Sequence, residues 1–316
     1  MKALIPHPRY FTASAAVSVS ISAAPRTSRF LFRSHTHHRP ISSSMPPSPS
    51  IPVGKTETKI LMLHGYTQSG PLFSAKTKAL SKLLVKALAP APYNLHPTLV
   101  FPTAPHRLRA SDIPGYVPGE GEEDDDDDEG DNWAWFRKDE ATGAYRGFEA
   151  GMRAIAAAIA DAGGVDGVVG FSQGGATAAL VAAALEHPLR QPPTDGPSPS
   201  ATTAGEEADW SWVDALRAAN GGRPLRYCVS YSGFYAPLEA LRWLYEPAIA
   251  TPTLHFNGSL DTVVEEWRSR GLIDRCRDPQ VVVHPGGHYV PVAKDWAMAL
   301  VGWLRQRYES DATAKE

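Results

Sequence analysis

A short glycine-rich turn places the tightest constraint on what this 316-residue chain can fold into. The turn is Gly170-Phe171-Ser172-Gln173-Gly174, and it joins the apolar run Val165–Val169 to an alanine-rich run. A serine with a glycine two positions away on each side is typical of a sharp turn between a strand and a helix, where its hydroxyl is exposed. We expect a side chain at either glycine to collide with Ser172. The motif therefore predicts a candidate nucleophile between a buried strand and a helix.

Apolar runs and helical stripes alternate along the rest of the chain. Short apolar runs predict buried strands, and apolar residues at helical spacing predict helices. This alternation indicates an α/β fold, with a mostly parallel central sheet and helices on both faces. Ligands of such sheets bind at the carboxyl ends of the strands. The predicted strands are Lys59–His64, Thr98–Phe101, Val165–Gly170, Leu225–Tyr231, Thr253–Phe256 and Pro279–His284, and the predicted helices are Ser74–Ala89, Tyr145–Ala162, Gly174–Glu186 and Val292–Tyr308.

Composition changes along the chain divide it into segments. We predict one folded domain over residues 56–309, an N-terminal extension over 1–55 and a C-terminal tail over 310–316. Two inserted loops are expected within the domain, at about 117–132 and 188–210. The first contains Glu120–Asp131, with ten acidic residues in twelve positions, a density that requires solvation. The second contains Pro188–Gly205, whose Pro, Ser, Thr and Gly content predicts a flexible surface loop.

The N-terminal extension has an unusual charge balance. Residues 1–50 contain six basic residues, no acidic residue and eleven serines, whereas the whole chain has a net charge of −3. This composition is typical of a mitochondrial transit peptide. Two alternatives stay open: a disordered tail, or a start at Met45 that makes the first 44 residues an over-extended gene model. The alternatives predict a cytoplasmic protein, with nuclear entry also open, and the transit peptide predicts a mitochondrial one.

Composition also excludes several classes of protein. No run of 18 apolar residues occurs, so no membrane span is expected. The near-neutral charge argues against a nucleic-acid partner. Cys228 and Cys276 are too few for a disulfide framework or a structural zinc site, and we expect no metal. The glycine-rich turn lacks the three-glycine dinucleotide fingerprint, and we expect no organic cofactor.

A serine nucleophile needs a histidine base and an acid that orients it. His288 lies in the glycine-rich loop between the last predicted strand and the last helix, and we favour it over His284. Asp261 follows the strand Thr253–Phe256, and its alternative role is that of a helix N-cap. His64 is expected to pin the loop after the first strand.

Two further sets of residues complete the predicted site. The backbone N–H groups of Gln173 and Tyr66 are the expected donors to an oxyanion. The aromatic residues Trp133, Trp135 and Phe136 follow the acidic run, and Phe234 follows the fourth strand. The three residues after the acidic run are expected either to form an apolar wall for an acyl chain or to pack in the core, and Phe234 is expected to contribute another wall.

Five motifs in this order resemble one family. The segments LMLHGYTQSG, GFSQGG, YSGF, NGSLDTVV and PGGHYVP are similar to those of the fungal FSH-type serine hydrolases and the related ovarian-cancer-gene-2-like esterases. The resemblance runs from about Lys59 to Arg307, outside the two inserted loops. It implies an α/β-hydrolase fold, also similar to that of acyl-protein thioesterases, and a Ser-Asp-His triad at Ser172, Asp261 and His288.

The resemblance also implies the kind of reaction. The expected activity is hydrolysis of esters or thioesters of small acyl substrates, free or carrier-bound, through an acyl-enzyme. The alternatives are release of a polyketide from its synthase, or hydrolysis of an amide or peptide. A non-catalytic binding protein of the same fold is the last alternative, and it is disfavoured because all three triad residues are present. Acyl chain length, leaving group and oligomeric state are not specified by the sequence.

Overall fold

The computed structural model describes residues 51–113, 130–186, 188, 190–194, 197–201 and 208–313. The predicted extension up to residue 50 and most of the acidic run lie outside these residues. Among the described residues, six strands form the central sheet and four short strands lie outside it. The sheet strands are β1 (Thr56–Leu63), β2 (Leu95–Val100), β7 (Gly167–Phe171), β8 (Tyr227–Tyr231), β9 (Thr253–Gly258) and β10 (Gln280–His284), and the short strands are β3 (His106–Arg107), β4 (Trp133–Ala134), β5 (Arg137–Lys138) and β6 (Tyr145–Arg146).

All neighbouring strands of the central sheet are parallel, in the order β2-β1-β7-β8-β9-β10. The chain moves outward from β1 to β2 and then returns to β7 on the other side of β1. The direction of strand addition therefore reverses between β1 and β7, where Leu63 is paired with Gly170. Crevices of this kind, at the carboxyl ends of strands, are where α/β sheets bind ligands. The loops after β1 and β7 meet there.

Helices cover both faces of the sheet, as predicted. On one face lies a core formed mainly with α3, α4 and α5, and on the other a core formed with α2 and α7. The alanine-rich α4 is buried along its whole length, because it packs against β7 and β8 and is also in contact with α5. The α/β fold class is therefore confirmed. The described helices are α1 (Gly70–Lys76), α2 (Lys78–Leu88), α3 (Phe148–Asp161), α4 (Gln173–Ala184), α5 (Ser211–Ala219), α6 (Glu266–Ile273) and α7 (Lys294–Thr313).

Two predicted helices differ from the structure for local reasons. The stretch predicted as one helix, Ser74–Ala89, is two helices interrupted at Thr77. The Thr77 hydroxyl donates to the carbonyl of Phe73 at 2.7 Å, a side-chain bond that competes with regular helix geometry. The helix predicted from Tyr145 begins at Phe148, because Gly147 has a left-handed φ of 76°.

Other predicted boundaries also shift. The helix α5 was not predicted, and the helix expected after Asp261 begins only at Glu266. The helix α7 continues to Thr313, past the predicted domain boundary at 309. Within the part of the chain that the structure describes, no helix is both long and apolar enough to cross a bilayer.

The described part of the second predicted loop is anchored rather than free. Arg190 is buried and pairs with Glu186, with Nε donating to the carboxylate at 2.9 Å. The other carboxylate oxygen of Glu186 accepts from the backbone N–H and the hydroxyl of Thr251, at 2.6 and 2.8 Å. Further along, Ser200 donates to the carboxylate of Glu149. Arg190 and Ser200, within the predicted loop, are therefore each bonded to a residue outside it, and a buried charge such as that of Arg190 requires fixed partners.

We expect Glu186→Ala to destabilise the protein by about 3–5 kcal/mol, because it leaves the buried Arg190 guanidinium without a counter-charge. Chemical denaturation with circular dichroism measures the free energy of unfolding. The control is Glu239→Ala, which removes one partner of the exposed Arg242 and should change stability little. Equal effects of the two changes would contradict a structural role for the buried pair.

Candidate active site

Ser172 lies at the end of β7 and immediately before α4. Its φ of 55° and ψ of −117° are unusual for a residue other than glycine. The backbone N–H of Ser172 donates to the carbonyl of Tyr231 at 2.8 Å, which fixes the turn to the next strand. The turn places the serine hydroxyl at the carboxyl edge of the sheet and at the N-terminus of a helix.

The two glycines of the motif are needed for close backbone contacts. A Cβ at position 170 would lie 2.0 Å from the carbonyl oxygen of Gly174. A Cβ at position 174 would lie 2.2 Å from the carbonyl oxygen of Leu63 and 2.5 Å from that of His64. The prediction that a side chain at either glycine would collide with Ser172 is therefore wrong. It would collide instead with the backbone of the turn or with the backbone at the end of β1. The glycines let α4 approach the end of β1.

His288 lies within hydrogen-bond distance of the serine. Its Nε2 is 2.9 Å from the Ser172 hydroxyl oxygen, and its Nδ1 is 2.8 Å from Asp261 Oδ2. With the proton on Nδ1, the ring donates to Asp261 and accepts from Ser172. The ring also packs against Phe171, with centroids 4.9 Å apart. The three predicted triad residues are therefore brought together, in the geometry that a general base and its orienting acid require.

Asp261 uses its two oxygens for different partners. Oδ1 accepts from the backbone N–H groups of Val263 and Val264, at 3.0 and 2.9 Å, and Oδ2 faces His288. The next helix begins at Glu266 with Glu265 as its N-cap, so Asp261 caps a turn rather than that helix. The carboxylate is held rigidly by the turn while it orients the imidazole.

Burial opposes ionisation of Asp261, but its hydrogen bonds have the larger combined effect. The N–H groups of Val264 and Val263 and the ring of His288 together hold the pKa of Asp261 below its usual value. The group is therefore a carboxylate near neutral pH. A carboxylate at this position stabilises the imidazolium that forms when His288 takes a proton.

The loops that carry Asp261 and His288 are joined through their backbones. Leu260 N–H donates to the carbonyl of Gly286 at 3.0 Å, and Ser259 N–H donates to that of His284 at 2.8 Å. A Cβ at Gly258 would lie 2.4 Å from the carbonyl oxygens of Gly286 and Gly287. These contacts set the position of the acid relative to the base.

The other candidate histidines have different environments. His64 is buried, its Nδ1 is 2.8 Å from the Gly65 carbonyl oxygen, and its Nε2 accepts from Ala104 N–H at 3.0 Å. Burial lowers the pKa of His64 to about 4, so it is neutral and pins the loop. His284 and His255 are both buried, and neither contacts Ser172 by a hydrogen bond among the described residues.

The two predicted oxyanion donors occupy neighbouring segments. Gln173 begins α4, and the first N–H groups of a helix have no intrahelical acceptor. Tyr66 lies in the loop after β1, and no described residue accepts from its backbone N–H. Its side-chain hydroxyl donates to the carbonyl of Asp112 at 3.1 Å.

The predicted aromatic wall is only partly in a position to meet a substrate. Trp135 and Phe136 are 1% and 4% exposed and lie in the core, where Phe136 stacks on Tyr145. Of the two roles expected for them, core packing is the one they have, and they do not line a substrate site, because their rings are enclosed by protein. Trp133 and Phe234 stay partly exposed. An arginine lies over each ring: Arg107 is 5.8 Å from Trp133 and Arg268 is 4.2 Å from Phe234.

Sequence reasoning missed the role of one side chain. The amide of Gln173 accepts from Trp135 N–H at 2.9 Å and donates to the carbonyl of Phe136 at 2.7 Å. Both partners are far away in the chain, so no local pattern indicates these bonds. The only indication in the sequence is a glutamine directly after the serine of the turn, and this does not show which residues its side chain contacts.

The fold and the site together define the class of protein. A parallel sheet with a serine at a strained strand-to-helix turn, followed in the chain by an aspartate and a histidine that meet it, is the arrangement of α/β-hydrolases. A model of the family described as "Serine hydrolase (FSH1)" matches residues 54–300. The chain therefore belongs to the FSH1 family of serine hydrolases, and the resemblance noted in its motifs is confirmed.

Individual relatives agree with this membership. The chain is 30% identical over 258 residues to "Esterase OVCA2" of Danio rerio, covering 78% of this chain and 96% of that one. It is 29% identical over 257 residues to "Family of serine hydrolases 2" of Saccharomyces cerevisiae, covering 78% and 97%. Among solved structures, Zea mays acyl-protein thioesterase 2 is 20% identical, with a TM-score of 0.47 and coverage of 82% and 97%.

We expect His255 to make the protein sensitive to acid. Burial lowers its pKa to about 4, so between about pH 6.5 and 4 the unfolded chain binds a proton that the folded chain does not. Stability therefore falls as the pH falls, by about 2 kcal/mol from this residue between pH 7 and 5.

His255→Leu tests this expectation. Denaturant titrations at both pH values should show a smaller loss of stability in the variant than in the wild type. An equal loss in the two proteins would show that His255 is not responsible.

Proposed function

We propose that this serine hydrolase cleaves carboxylic esters and thioesters of small acyl substrates through Ser172, His288 and Asp261. The single observation that supports this most is the continuous pair of contacts, 2.9 Å from serine to histidine and 2.8 Å from histidine to aspartate. Geometry of this kind activates a hydroxyl that is otherwise a poor nucleophile.

In the proposed reaction, Ser172 Oγ attacks the carbonyl carbon and its proton passes to His288 Nε2. The carbonyl electron pair moves to oxygen, and the backbone N–H groups of Tyr66 and Gln173 hold that oxyanion. When the tetrahedral intermediate collapses, His288 gives the proton to the leaving alcohol or thiol. Water then attacks the acyl-enzyme with His288 as base, and Ser172 regains its proton as the acid is released.

Apolar side chains on the two catalytic loops support an acyl substrate. Leu260 and Val263, in the loop of Asp261, are 68% and 62% exposed, and Tyr289, beside His288, is 52% exposed. Exposed apolar residues next to a reactive group favour contact with an apolar ligand. The relative "Esterase OVCA2" carries an activity of this type in its name.

Ser172→Ala removes the proposed nucleophile. We expect it to abolish labelling by a fluorophosphonate probe and to lower kcat on p-nitrophenyl esters by about 10⁶-fold, while the fold is kept. Ser74→Ala, on α1, is the matched control and should label like the wild type. Retained labelling and turnover in Ser172→Ala would refute the assignment of the nucleophile.

Asp261→Asn tests the acid. The amide cannot stabilise an imidazolium and favours the wrong histidine tautomer, so we expect kcat to fall by about 10³–10⁴-fold. Asp274→Asn, at an exposed residue paired with Arg270, is the control and should keep full activity. Steady-state kinetics measure both. A variant with undiminished kcat would show that another acid orients His288.

A panel of acyl substrates separates the alternatives for the leaving group. We expect turnover of p-nitrophenyl esters and acyl-CoA thioesters of matched chain length. Cleavage confined to the corresponding amides would favour an amide or peptide hydrolase. Turnover only of acyl groups on a carrier protein would favour a carrier-bound substrate.

A further inference from the structure

A buried tryptophan connects the two segments that supply the proposed oxyanion donors. We propose that Trp135 is a positioning residue that fixes the N–H of Tyr66 relative to the N–H of Gln173. The inference rests on the proposed function, and it assigns to a core residue a part in setting the geometry of the site. Trp135 itself is enclosed and touches no substrate.

The first connection runs from the indole to the loop after β1. Trp135 Nε1 donates to the carbonyl of His64 at 2.9 Å, and the two rings lie with centroids 4.9 Å apart. His64 directly precedes Gly65 and Tyr66. Its ring is in turn fixed by Ala104 N–H. The indole therefore holds the start of the loop that carries the first donor.

The second connection runs from the backbone to α4. Trp135 N–H donates to Gln173 Oε1 at 2.9 Å, and Gln173 Nε2 donates to the carbonyl of Phe136 at 2.7 Å. Both ends of the amide are engaged, which defines its orientation. The backbone N–H of Gln173 is the second proposed donor. The side chain of the same residue is thus bonded to residues 135–136, and the indole of Trp135 holds the loop of Tyr66, the first donor.

The segment that makes these bonds is itself fixed. The carbonyl of Trp133 accepts from Thr67 N–H at 3.0 Å, so Tyr66 lies between two residues that this segment holds. A Cβ at Gly151 would lie 2.1 Å from the carbonyl oxygen of Trp135, so α3 packs closely against the backbone of Trp135. Buried hydrogen bonds in a low-dielectric surrounding hold their geometry tightly.

The consequence for catalysis follows from the geometry of oxyanion binding. Both donors must point at the position that the oxyanion occupies, and a displacement of about 1 Å costs up to about 10²-fold in rate. Substrate binding before the attack does not use these donors to the same extent. Loss of the hydrogen bonds from Trp135 to His64 and Gln173 should therefore lower kcat far more than it raises KM.

The test is Trp135→Phe in the full chain, which keeps an aromatic ring and removes the indole N–H. We expect kcat on a p-nitrophenyl ester to fall by about 10- to 100-fold with little change in KM. The inhibition constant of an alkyl trifluoromethyl ketone, whose adduct with Ser172 carries an oxyanion, should rise by a similar factor. The control is Trp212→Phe, the same change at a buried tryptophan of α5 that makes none of these bonds. It should lower the melting temperature without these kinetic changes.

A second variant keeps the test decisive if Trp135→Phe does not fold. Gln173→Met cuts both side-chain bonds to the segment while the backbone N–H stays, and it should show the same loss in kcat and in inhibitor affinity. Wild-type kcat and inhibitor affinity in either folded variant, with only a lower melting temperature, would overturn the inference. A wild-type protein that neither reacts with fluorophosphonate nor turns over esters would instead refute the proposed function.

Discussion

The close approach of α4 to the end of β1 is the contact on which the rest of the site depends. A Cβ at Gly174 would lie 2.2 Å from the Leu63 carbonyl oxygen, so only glycine allows this approach. The contact brings the start of the helix after Ser172 next to the loop that carries Tyr66. It lies between β1 and β7, where the order of strand addition reverses. The switch point of the sheet and the strained serine turn are thus one feature of the fold.

The acid and the base reach this point as a joined pair. Their loops follow β9 and β10, which are neighbours in the sheet, and backbone bonds from Ser259 and Leu260 hold the loops together. Asp261 divides its oxygens between its own turn and His288. The pair is held in place because backbone bonds join the two loops and the Asp261 carboxylate is bonded both to its own turn and to His288.

Much of the fold and part of the site follow from local patterns. Strand-helix alternation predicted the parallel sheet and the helices on both faces. The glycine-rich motif around Ser172 predicted that this serine lies at the end of a strand. The errors have local causes as well. The hydroxyl of Thr77, for example, interrupts a stretch whose apolar spacing predicts one continuous helix. The role of Trp135 was left open for a different reason. An aromatic residue has the same sequence pattern whether it lines a cleft or fills a core.

The sequence alone determined the order of the elements, the strained turn and the types of residue at the ends of the strands, because these depend on contacts between near neighbours in the chain. The tertiary structure decided which histidine meets Ser172, and that the same histidine meets Asp261. It also decided that Trp135 and the side chain of Gln173 are bonded. Those outcomes depend on separations of 27 to 116 residues, over which only the packing of the whole sheet and its helices sets distances.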